Sequence, residues 1–167
     1  MPLSVLLLLI SLFLSPAHAR PDAAAPPQVS AVQPFDSVAD EALNGMRKRA
    51  EELKTGGVAI VAYIPGDTLQ SWSSKMIVVG RYKDLPTGTE KGSNLLGIVY
   101  AKAAEMADTL KNSGSQVRPP MTGEFGWQGG VIARGKSGYL IAAFSGGKSE
   151  DDVQVSQAGL ARLTQSF

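Results

Sequence analysis

Apolar positions at helical spacing alternate along this chain with short, nearly unbroken apolar runs, and that rhythm predicts its elements. Ala39, Ala42, Leu43, Met46, Ala50 and Leu53 recur every three or four residues. They mark one stripe of a helix opened by Ser37, with Asp40 as its capping-box partner, and stopped by Gly56-Gly57. Val58 to Ile64 is almost continuously apolar and reads as a buried strand. Pro65-Gly66-Asp67 signals a turn, and Leu69 to Tyr82 reads as the returning strand of a hairpin. Met76 to Val79 is apolar at successive positions, so this part is expected to be covered on both sides. Leu85 to Ser93, rich in Gly, Thr and Pro, reads as a loop. A second helix from about Asn94 to Leu110 carries Leu95, Ile98 or Val99, Lys102, Met106 and Leu110, and Asn112-Ser113-Gly114 ends it.

The pattern then loosens. Arg118 to Gly130 holds Pro119-Pro120 and several glycines and predicts an irregular segment carrying Met121, Phe125 and Trp127. Val131 to Ala133 and Tyr139 to Ser145 form a second hairpin around Gly135-Lys136-Ser137-Gly138. Gly146-Gly147 turns the chain into a closing helix. Ser149 is its expected cap and Asp152 the capping-box partner, with Glu150, Asp151 and Asp152 supplying negative charge to the first turn. Val153, Leu160, Leu163 and Phe167 fall near one face of it. Hairpins separated by helices favour an antiparallel sheet over a doubly wound parallel one. The predicted fold is α+β: a single antiparallel β-sheet of four to five strands packed with three main helices, in α-β-β-α-β-β-α order.

The first residues follow a different logic. Val5 to Leu14 is apolar apart from Ser11, too short to span a bilayer and suited to the core of a signal peptide. Pro16-Ala17-His18-Ala19 gives a small-residue cleavage pattern, which predicts a cut before Arg20, although no Lys or Arg precedes the apolar run. An uncleaved anchor would have to be unusually short. Arg20 to Pro34, with four prolines and four alanines, reads as a flexible leader. The expected organisation is a signal over 1–19, a Pro/Ala-rich leader over 20–34 and one α+β domain over 35–167. Its expected location is secreted or periplasmic, with no stable membrane anchor after cleavage.

Composition narrows the chemistry. Taking 19 residues from 167 leaves 148, enough for one domain with a real core. All 16 basic and 15 acidic residues fall in that part, so no basic excess drives nucleic-acid binding. The chain has no cysteine, which removes disulfides, thiolate metal sites and thiol nucleophiles. Its one histidine, His18, sits in the signal, so the mature part has no imidazole for a Ser-His-Asp triad or a His-rich zinc site. No paired-carboxylate spacing suggests a metal, and any metal ligand stays unknown.

Several of these residues together resemble a known family. Ser145-Gly146-Gly147, Ser149, Asp151-Asp152 and Ala158-Gly159-Leu160 resemble the ending of the GlcG/HbpS-like haem-binding (haem-degrading) domain. Lys102-Ala103 with Ala107 is similar to that family's central helix, and Val58 to Ile64 with Gly66-Asp67 to its first strand and turn. The same domain resembles the C-terminal part of certain cobalamin adenosyltransferases. The resemblance covers roughly Phe35 to Phe167, with a longer detour over Ile77 to Ser93 that puts Arg81 and Asp84 in an altered setting. It implies a compact α-β-α domain, frequently a homo-oligomer, associated with haem, corrinoids or other small ligands.

The candidate ligand contacts follow, each with a plainer reading beside it. Gly146, Gly147 and Lys148 precede a helix N-terminus, where an anion is received; capping by Ser149 and the acidic residues explains the same sequence. Lys102 lies on a small apolar helical face, positioned to meet a ligand carboxylate or, deprotonated, iron. The commoner fate of such a lysine is to lay its stem on apolar surface and expose its amine. Met121 and Tyr82 are the expected non-histidine haem ligands by position, Met46 and Met106 being core fillers. Trp127 and Phe125 among glycines either line a flat-ligand pocket or pin the loop to the sheet. Arg134 is a further cation for haem propionates. The leading expectation is an exported domain binding haem or a related tetrapyrrole through non-histidine contacts. An oligomeric interaction module without cofactor is second, and a small-molecule or haem-degrading enzyme ranks last.

Overall fold

The computed structural model describes residues 35–167, so the expected signal, the leader and His18 lie outside the described residues. The elements are α1 (Phe35–Glu52), β1 (Gly57–Pro65), β2 (Ser73–Val79), β3 (Lys83–Asp84), β4 (Ser93–Asn94), α2 (Leu95–Thr109), β5 (Gly130–Arg134), β6 (Gly138–Ser145) and α3 (Ser149–Ser166). β2, β1, β6 and β5 form one sheet in that order, every neighbouring pair antiparallel, while β3 and β4 make a separate two-stranded ribbon. The three-helix α+β architecture is the one the patterning predicts.

Alternation within the central strands builds three layers. Val58, Ile60, Ala62 and Ile64 of β1 and Ile141 and Ala143 of β6 pack with Leu95, Val99, Ala103 and Met106 of α2. The intervening Ala59, Val61, Leu140, Ala142 and Phe144 pack with α1 and α3. A strand covered on both faces has no position to give to polar residues, which is why β1 reads as an unbroken apolar run. β2 lies at the edge instead. There Val78 is 43% exposed, so the expected two-sided cover over Met76 to Val79 does not extend to it.

Local signals were displaced by tertiary demands at several element ends. α1 begins at Phe35, whose ring lies 6.3 Å from that of Phe167, and Asp40 pairs with Lys75 of β2 at 2.8 Å. Lys54, at φ 54°, ends α1 in a left-handed turn closed by Thr55 N–H donating to the Ala50 carbonyl, so the glycines are not its stop. Gly56-Gly57 serves close packing: a Cβ on Gly57 would collide with the Ser145 carbonyl, and one on Gly146 with that of Gly56. Two glycine pairs thus let the start of β1 meet the end of β6. Leu110, also left-handed, ends α2, and Asn112 and Ser113 accept from Ile132 and Gly130 at the edge strand β5. The expected loop over 85–93 is bracketed by the β3–β4 ribbon, too short to announce itself by periodicity.

Candidate functional site

The closing helix holds the first surprise. Lys148, not Ser149, is the residue before α3, and its side chain makes no capping bond. Asp152 does not reach back to that residue's N–H. Its Oδ1 accepts from Gly147 N–H at 2.8 Å, and its Oδ2 takes the Lys102 ammonium at 2.9 Å. Lys102 arrives from α2 buried in the core, and it also donates to the Phe144 carbonyl at 2.8 Å. Lysine and aspartate side chains are only 3% and 5% exposed. The amine therefore does not emerge into water, against the commoner expectation for such a lysine.

Burial sets the electrostatics of this pair. It pulls the Lys102 amine below its ordinary range and pushes the Asp152 carboxyl up, while each partner's opposite charge resists the change on the other. Gly129, at φ 129°, is fixed by the same pair, because a Cβ there would collide with Lys102 Nζ. Its carbonyl accepts from Ser156 of α3 at 2.6 Å.

A cleft of about 170 Å³ opens above the pair, lined also by Ser93, Leu95, Ile98, Trp127, Ser145, Gly146 and Gly147. Ser93, Ile98 and Trp127 continue into a wider groove of about 450 Å³ whose far wall is Gly123 and Phe125. The Phe125 and Trp127 rings lie 4.9 Å apart and are 46% and 51% exposed. They do not pin their loop. Arg118 does that, gripping both oxygens of Glu124 at 2.6 and 2.8 Å and Asp108 of α2 at 2.6 Å. That clasp holds the Glu124 carboxyl down at about 2. The polar floor and the aromatic wall thus belong to one continuous cleft and groove.

Arg81 holds the frame and was not singled out by the sequence as a structural residue. Its guanidinium donates to the carbonyls of Gly56 and Gly146 and to Asp84, each at 2.6 Å, joining the ribbon to both glycine pairs. Only the Arg-x-x-Asp spacing hinted at part of this. Asp152 was read as a cap, and its partner 50 positions away carries no local signal.

The fold thus brings Lys102, Trp127, Gly146 and Gly147 to one cleft. Lys148 follows directly on Gly147 but is exposed. Tyr82, 50% exposed, borders a separate pocket along the ribbon, and Met121 is 53% exposed on its turn and lines neither part of the cleft. Arg134 pairs with Asp67 and lies over the Tyr139 ring, at the other end of β6 from Ser145. Of the expected axial ligands only Lys102 lines the cleft, and its amine already serves Asp152 and Phe144. The residues fit the face of a flat ring. They do not supply its iron with a ligand.

Two solved structures resemble the chain along most of their length. One is a double mutant of HbpS from Streptomyces reticuli, 20% identical, covering 87% of this chain and 98% of that one, with a TM-score of 0.41. The other is HbpS, 18% identical, covering 84% of this chain and 98% of that one, with a TM-score of 0.43. No family model and no curated protein matches.

Proposed function

We propose that this chain is an exported small-ligand-binding domain whose cleft takes a flat tetrapyrrole, haem or a relative, by stacking and not by coordination of its metal. The carrying observation is the half-exposed Phe125–Trp127 pair. Two large rings face a groove on a loop that Arg118 already holds, so their exposure is left for a ligand. A groove of about 450 Å³ is within the range of roughly 300–1,000 Å³ typical of small-molecule sites. Lys148, exposed and without an ion pair among the described residues, is the cation assigned to the ligand's carboxylates. The sequence resemblance to GlcG/HbpS-like domains supports the ligand class, and the apolar segment with its Ala-x-Ala pattern supports export.

The test uses a Trp72→Phe background, in which Trp127 is the sole tryptophan. Haemin and metal-free protoporphyrin should quench its fluorescence saturably with similar Kd, and Phe125→Ala should weaken both about tenfold. Absence of saturable quenching overturns the ligand class. Haemin binding far tighter than the metal-free ring overturns the stacking mode. A second reading, a homo-oligomeric interaction module, draws on the open edge strand β2 with Val78 exposed. Light scattering showing an oligomer that no porphyrin perturbs would favour it.

A further inference from the structure

Six polar side chains of the described residues are buried: Lys102, Glu105, Ser113, Ser145, Asp152 and Ser156. Five of them are hydrogen-bonded inside the protein. Ser113 Oγ accepts from Gly130 N–H at 2.8 Å and Ser156 Oγ donates to the Gly129 carbonyl at 2.6 Å. Glu105 accepts from Gly114 N–H, and Lys102 and Asp152 hold each other. Ser145, 4% exposed, is the exception: its hydroxyl has no protein partner among the described residues. No fully buried side-chain polar atom of the described residues goes unpaired, so the hydroxyl is where Ser145 touches solvent. It does so through the cleft that it lines. Strand register agrees, because Ser145 lies opposite Val58, whose side chain packs on the α2 face of the sheet.

The inner cleft around this hydroxyl is polar, yet its charges are already paired. Lys102 holds Asp152 at 2.9 Å, and Arg81 holds Asp84 at 2.6 Å. A ligand carboxylate placed there would meet two carboxylates whose cations are engaged, which like-charge repulsion opposes. An uncharged hydroxyl or carbonyl meets no such penalty. The lining offers it the hydroxyls of Ser93, Ser145 and Ser149 and the Gln128 amide. Lys102 adds a donor, since two of its three N–H groups are used by Asp152 and Phe144. At about 170 Å³ against about 450 Å³ for the groove, the inner cleft has room for a substituent of a ligand whose ring lies outside it.

We propose that the inner cleft is a specificity pocket for an uncharged, hydrogen-bonding arm of the ligand, with the Ser145 hydroxyl as its deciding contact. The inference rests on the tetrapyrrole reading. The ring stacks on Phe125 and Trp127 in the groove, and one oxygen-bearing arm passes Ser93 and Ile98, which line both spaces, to reach Ser145. The carboxylates stay outside the pocket. The preferred ligand is a tetrapyrrole oxygenated on a short arm, and one whose other arms are all alkyl is the poorer ligand.

Haematoporphyrin and mesoporphyrin test this, because they differ only by a hydroxyl on each of two ethyl arms. In the Trp72→Phe background, haematoporphyrin should quench Trp127 with a Kd about fivefold below that of mesoporphyrin, the net worth of about one hydrogen bond. Ser145→Ala, which removes a hydroxyl without a protein partner, should erase that preference. Mesoporphyrin binding as tightly as haematoporphyrin, or more tightly, overturns the pocket and leaves the tetrapyrrole reading standing. Failure of both porphyrins to quench saturably overturns that reading, and the pocket with it. A preference that survives in a folded Ser145→Ala protein overturns the role of Ser145.

Discussion

Glu124 shows how one side chain governs a functional loop. Arg118 holds its carboxyl at about 2 in the folded state, against an ordinary value near 4.3 when unfolded. A carboxylate with a depressed folded value adds stability above its unfolded value and loses it as pH falls toward the folded one. The 118–129 loop should therefore loosen between about pH 4 and pH 2. In the Trp72→Phe background, Trp127 emission should report that transition, and Glu124→Gln should shift the loosened emission to neutral pH. Unchanged emission in the variant would show that the loop is held by something else. None of this was legible in the sequence, where Glu124 is one scattered carboxylate. Its value comes from Arg118 six residues earlier, on a turn without periodicity.

At the level of elements, the helices were legible, and so were the ends of α2, expected from about Asn94 to Leu110 and capped by those two residues. The ends of α1 and the cap of α3 were not. Periodicity marks α1, α2 and α3 because each buries one stripe, yet the residues at the ends of α1 and the start of α3 answer to neighbours. Lys148 is the clearest case. It precedes α3 with extended backbone, φ −70° and ψ 155°, the conformation of a capping residue, but without a capping bond. Lys148→Ser should supply that bond and raise stability by about 0.5–1 kcal/mol in thermal or denaturant unfolding. The same change should weaken the binding of protoporphyrin while leaving its dimethyl ester, which lacks the carboxylates, unaffected. A variant that binds acid and ester as the wild type does would remove Lys148 from the site.

Across the whole molecule, the Lys102–Asp152 pair links helices that lie on opposite faces of the sheet. α2 lies on one face of the sheet and α3 on the other, and the ion pair joins them past the end of β6. Breaking a buried pair leaves an uncompensated charge, so Lys102→Met should cost about 3–5 kcal/mol in denaturant unfolding. Replacing both partners, Lys102→Met with Asp152→Leu, should recover most of that loss. A single variant as stable as the wild type would show that water reaches Asp152.

The sequence by itself determined the three helices, the two main hairpins and the antiparallel sheet, because helical stripes repeat every 3.6 residues and strands covered on both faces read as short apolar runs between turn signals. It also set one limit of the chemistry, through the missing cysteine. Only the tertiary structure decided which residues share a cleft. Lys102 with Asp152, and Arg81 with Gly56 and Gly146, depend on contacts between distant segments, for which neighbouring residues carry no trace.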